Sequence, residues 1–151
     1  MPVFAYNPIQ LVQAGQNAIL DNIYCCQKGY VFHGNQSGIV TLRGIVNNPT
    51  SGFAEYRVEA KANIALPETA TEVAPIALAL TQNGEVIQPT RAIVTPAAVD
   101  EYSAVSTFWV FRVPRGCCFD VALENASEVT ETGLAPAINV QNVVMTVTRT
   151  A

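Results

Sequence analysis

Along residues 53–66, FAEYRVEAKANIAL, apolar and polar positions alternate one for one. Tyr56, Val58, Ala60, Ala62 and Ile64 fall on one side, and Arg57, Glu59, Lys61 and Asn63 on the other. A period of two belongs to a strand with one packed face, whereas a helix repeats every 3.6 residues. The same alternation returns in residues 103–113 and 118–123, two runs joined by Pro114, Arg115 and Gly116; in the second, Phe119, Val121 and Leu123 alternate with Asp120, Ala122 and Glu124. Ile138–Arg149 closes the chain with Val143, Met145 and Val147 opposed to Val144, Thr146 and Thr148. An apolar strand of that kind wants a central position, with neighbours on both sides.

Shorter strand candidates lie at 16–23, 30–33, 39–46, 76–81, 85–88 and 91–95. Gly/Asn/Pro/Ser clusters at 34–38 and 47–52 separate some of them, and Asn83-Gly84 is the strongest short-range hairpin signal in the chain. Eight to ten strands with a turn about every 8–12 residues predict an all-β fold, a sandwich of two stacked antiparallel sheets. The first fourteen residues stand apart. Pro2 and Pro8 argue against an uninterrupted strand there, so residues 1–14 read as an extended arm and 15–151 as the sandwich domain. Phe4, Tyr6, Ile9, Leu11 and Val12 are too apolar for a loose tail, which makes them candidate anchoring contacts with a neighbouring subunit.

Composition sharpens this picture. Of 151 residues half are apolar, 13% are charged, and the formal net charge is -4. Such a chain has the apolar content to fold, and its eight Lys/Arg are spread too thinly for a nucleic-acid backbone binder. No apolar run approaches the ~20 residues of a membrane helix, and residues 1–20 lack the basic start and unbroken apolar stretch of a secretory leader. Few charges and many apolar residues also suit a surface partly covered by other subunits.

Candidate chemistry is sparse. His33 is the only histidine, so any His-centred metal site or catalytic triad depends wholly on it. Asp120 and Glu124 share a strand face roughly 13 Å apart at ~3.3 Å per residue, too far for the ~5–9 Å separation of glycosidase carboxylates. Asp100 and Glu101, with Glu128 or Glu131, form either a solvated acidic rim or a calcium site, and the rim is the ordinary reading. The cysteines come as adjacent pairs, Cys25-Cys26 and Cys117-Cys118. Free thiols acting as small packing groups, a disulfide between the pairs, and a metal or reactive site all stay open. No phosphate-binding loop or metalloprotease motif occurs. The expectation is a protein without catalytic residues, cofactor or metal. Asn35-Gln36-Ser37 and Asn125-Ala126-Ser127 formally fit the glycosylation pattern.

Leu80-Thr81-Gln82-Asn83-Gly84-Glu85, Val113-Pro114-Arg115-Gly116 followed by 119–123, and the closing run Ile138–Arg149 together resemble the trimeric jelly-roll heads of the tumour necrosis factor and complement-head superfamily. The resemblance spans residues 16–149 and implies a homotrimer. The segments 37–44 (SGIVTLRG), 91–99 (RAIVTPAAV) and 113–118 (VPRGCC) resemble small proteins of gut-type Firmicutes and their phages. That second resemblance implies a virion protein: a capsid-decorating (cement) protein or head fibre, cytoplasmic during assembly, then on the particle surface, with a major capsid or other virion protein as partner. The alternative is an adhesive head binding a surface glycan through Tyr6, Tyr30 or Tyr102. In a trimer, the candidates for the threefold interface are Tyr56, Tyr102, Phe108, Trp109 and Phe111, with Arg112, Arg57 and Arg43 available for carboxylates of a neighbour. Phe108 and Trp109 must face opposite ways, one to the core and one outward.

Overall fold

In the computed structural model, which describes residues 3–25, 31–33, 38–44, 52–70, 72–129 and 133–150, the alternating pattern becomes strands throughout. In chain order they are β1 (Val3–Tyr6), β2 (Gln10–Val12), β3 (Asn22–Cys25), β4 (Val31–His33), β5 (Val40–Arg43), β6 (Phe53–Ala65), β7 (Ile76–Gln82), β8 (Glu85–Val86), β9 (Ala92–Val94), β10 (Ser103–Pro114), β11 (Cys118–Asn125) and β12 (Ile138–Arg149). A 3-10 turn, Gln88–Thr90, interrupts the run from β8 to β9.

Two antiparallel sheets stack face to face. The first has the order β10-β6-β12-β1-β3, with β2 also on β12; the second has the order β4-β5-β11-β7-β8, with β9 also on β7. Neighbours in each sheet are mostly remote in sequence, which is the jelly-roll way of closing a sandwich. As its apolar content asks, β12 is central: β6 runs along one edge, β1 and β2 along the other. Its alternation changes phase once. Ile138 and Val140 point into the core, and so do Val143, Met145 and Val147. Asn142, at φ 54, supplies the extra residue of a bulge between Gln141 and Val144.

Between the sheets, Tyr56, Val58, Phe111 and Met145 from the first meet Leu42, Leu78, Leu80 and Leu123 from the second. The Tyr56 hydroxyl crosses the layer and donates to the Arg43 carbonyl, which ties β6 to β5. Asn83 and Gly84 both take positive φ, 51 and 86, and close the β7–β8 hairpin as the Asn-Gly signal predicts. This turn is tied sideways to β11: the Asn83 amide donates to the Asp120 carbonyl at 2.8 Å, and the Asp120 amide donates to Asn83 Oδ1 at 2.9 Å.

The N-terminal segment departs from expectation. It is no free arm, because β1 lies between β12 and β3 and β2 adds to β12. Phe4 and Val12 are buried in the core. The proline argument fails because Pro8 falls between the two strands, where it costs no ladder hydrogen bond. The candidate strand at 16–23 is also displaced. Asn17 makes only an isolated bridge to Glu124, and regular pairing begins at Asn22.

Candidate interaction face

The side of the first sheet turned away from the core is built by alternate residues of β10, β6 and β12. Their register sets them in rows: Phe108 beside Glu59 beside Thr146, Val110 beside Arg57 beside Thr148, Ser106 beside Lys61 beside Val144. Phe108 is 57% exposed and Val110 44%, both on β10, the edge strand of the sheet. At the other end of the same face Leu11 pairs beside Asn139. Leu11 and Ile9 are each 56% exposed. Phe108 with Val110 at one edge, and Leu11 at the far end, leave large apolar side chains exposed on this face.

The two arginines on this face are already answered within the chain. Arg57 stacks over the Phe108 ring at 5.1 Å and its Nε lies 2.7 Å from Glu59 Oε1. Arg112 repeats the arrangement over Phe53 at 4.1 Å, with its Nε 3.5 Å from Glu55 Oε2. The hydroxyl of Thr150 donates to Glu55 Oε1 at 3.0 Å. A shallow cleft of about 540 Å³ runs between Phe108, Lys61, Val144 and Thr146. Mostly neutralised and partly apolar, the face can pack against protein. Among the described residues no group of three His, Cys, Asp or Glu is placed to hold a metal ion.

The residues singled out from sequence are sorted by this geometry. Leu11, Phe108 and Arg112 share the outer face, and Ile9 is exposed in the connection between β1 and β2. Tyr56 and Phe111 do not: both are buried between the sheets, so they are core and not interface. Phe4 and Val12 leave the set of anchoring residues for the same reason, since a side chain sealed in one subunit's core touches no partner. Tyr6 and Trp109 are half-buried against the core, and Phe108 with Trp109 divides outward and inward as strand geometry requires. Arg43 stands on the second sheet, away from the face. Tyr102 is half-buried and its hydroxyl makes no well-formed hydrogen bond. Burial pushes that phenol above its ordinary range, the charge of Asp100 adds to the effect, and the side chain of Asn139 partly offsets it.

Sequence reasoning missed Val110 and Phe53. Val110 shares the parity of Phe108, and Phe53 the parity of Arg57, so period two alone would have found them. Cys117 and Cys118 are free thiols, but both are exposed on the β10–β11 turn, which ends the packing-group reading for that pair. The side chains of Cys25 and His33, and all of Cys26 and Tyr30, lie outside the described residues.

This arrangement defines a jelly-roll β-sandwich of two antiparallel sheets. Murine APRIL superposes with a TM-score of 0.50 at 13% identity, over 93% of this chain and 98% of that one. The globular domain of the zebrafish complement 1qA protein superposes with a TM-score of 0.48 at 13% identity, over 95% of each chain. At such identity the likeness is one of fold. No protein-family model and no curated protein sequence matches the chain.

Proposed function

We propose that this protein is a non-enzymatic assembly module: a homotrimer that buries the outer face of its first sheet, mounted on the surface of a phage particle as a capsid-decorating or head-fibre-like protein. The observation that carries the assembly reading is the presence of Phe108, Val110 and Leu11, all large, apolar and exposed, on that one face. Phe108 and Val110 on the edge strand supply the central contact, where aromatic anchors do most of the work of an interface. Arg57 and Arg112, held over aromatic rings by their own carboxylates, form a polar rim that desolvates at low cost. Ile9, exposed in the connection between β1 and β2, takes the attachment role expected of the N-terminal segment, now from chain held against the sheet and not from a free arm.

The virion location is supported by the resemblance of segments 37–44, 91–99 and 113–118 to phage-associated proteins. Light scattering on the purified chain tests assembly: the expected species is about 49 kDa, three chains of 16.2 kDa each. A monomer at micromolar concentration removes the trimer. Co-sedimentation with purified particles tests location, and absence from them leaves the fold and the trimer intact while removing the virion role.

A further inference from the structure

The second sheet carries a groove of about 450 Å³ on its outer side, where β7 begins between β9 and residues 126–129. Its size is that of a small-ligand or peptide site. Val73, Ile93 and Val129, each strongly exposed, line it from three different segments. One end is closed by Arg91. Its guanidinium lies 3.0 Å from Glu128 Oε1 and donates to the Ala126 carbonyl at 3.0 Å. Because Ala126 pairs with Ala77 and Ala92 with Leu78, the Arg91 side chain must cross β7, and the small side chains of Ala77 and Ala79 leave room for it.

Both ends of this crossing are fixed. Thr90 Oγ1 accepts from the Leu80 amide at 3.0 Å, and the Thr90 carbonyl accepts from Thr107 Oγ1 at 2.6 Å. On the far side the Ser127 amide and hydroxyl both donate to Asn125 Oδ1, at 3.1 and 2.6 Å. Arg91 is therefore a positioned group, its side chain only 16% exposed. Two of its five N–H donors are used among the described residues.

We infer that this groove binds an extended segment of a partner polypeptide that carries aliphatic side chains and a basic residue. The aliphatic walls suit Val, Leu or Ile, and a main-chain carbonyl of the segment accepts from Arg91. Glu72 and Glu128 on the rim outweigh Arg91 in charge, so a Lys or Arg of the segment is attracted and an acidic one repelled. A sugar is the poorer occupant, because no aromatic ring lines the groove to stack against it. The groove lies on the opposite sheet from the proposed trimer face, so the two proposals stand or fall separately.

The probe is the peptide acetyl-Ile-Lys-Val-Lys-amide, titrated into the isotope-labelled full-length protein and followed by NMR. Saturable shifts confined to residues 72–77, 91–93 and 126–129 are expected. The same peptide with Glu in place of Lys should bind about tenfold more weakly. Glu128→Gln should weaken the Lys peptide severalfold, and Val129→Asp should abolish its binding while leaving the rest of the spectrum unchanged, since both side chains are exposed. Three results would overturn the inference: no saturable shifts, equal binding of the Glu peptide, or shifts of the groove resonances by cellohexaose but not by either peptide.

Discussion

Asn125 joins three stretches of chain through one buried side chain. Its Nδ2 donates to the Val12 carbonyl at 2.9 Å and to the Pro136 carbonyl at 3.0 Å, while its Oδ1 accepts from Ser127. Replacing it with Ala strands all of these partners in a dry site, and Asn125→Ala should lower unfolding free energy by about 2–4 kcal/mol in urea titrations. As a string of letters the same residue opens a glycosylation sequon; only the fold reveals that its amide is spent inside. Next to it, Glu124 carries a carboxyl pushed above its ordinary value of 4.5 by burial. As pH rises past 4.5 the unfolded chain releases this proton before the folded one does. Stability therefore falls through the window up to the folded value, and the loss persists at neutral pH. Glu124→Gln should make the protein more stable at pH 7 and flatten that part of the curve, as urea midpoints measured from pH 4 to 7 will show. A neutral-pH stability below that of the native chain would mean that Glu124 has a favourable partner outweighing its burial.

Strands of twelve or thirteen residues declare themselves in sequence, because several alternations in a row admit no other period. Thus β6, β10 and β12 are legible almost to the residue, as is the Asn83-Gly84 turn. What escapes is settled by neighbours and not by pattern. β1 and β2 are four and three residues long, and they are strands only because β12 offers them an edge. The phase change at Asn142 is invisible to a reading that counts parity, although an Asn amid valines hints at the positive φ of a bulge. The face was half legible for a related reason: alternation says which residues lie together, but not which exposed ones meet a partner. Position in the sheet gives the N-terminal segment its consequence. Deleting residues 1–14 removes β1 from between β12 and β3 and takes Phe4 and Val12 out of the core. The truncated chain should lose its cooperative thermal transition and its dispersed amide spectrum. If it folds normally, the pairing of β1 with β12 contributes little and the segment is an arm after all.

At the scale of the molecule, the two sides of the first sheet have opposite tolerances, and that asymmetry separates folding from assembly. Phe108 and Phe111 lie three residues apart on β10, one 57% exposed and the other 1%. An acidic residue at position 111 would be sealed between the sheets without a partner and should prevent folding. At 108 or 110 the same change leaves the isolated subunit solvated and puts the penalty on association alone. Phe108→Asp combined with Val110→Asp should therefore keep the thermal midpoint of the monomer fold while the mass by light scattering drops from about 49 kDa to the 16.2 kDa of one chain. Because Arg57 and Arg112 are already paired with Glu59 and Glu55 in the same subunit, little association energy comes from long-range attraction. The proposed trimer should accordingly survive ionic strengths near 1 M, where the Debye length is about 3 Å. Dissociation by salt alone would point to charge pairs between subunits in place of the apolar contact. A trimer that persists in the doubly acidic variant would move the interface off this face, to the second sheet or to the loops at the ends of the sandwich.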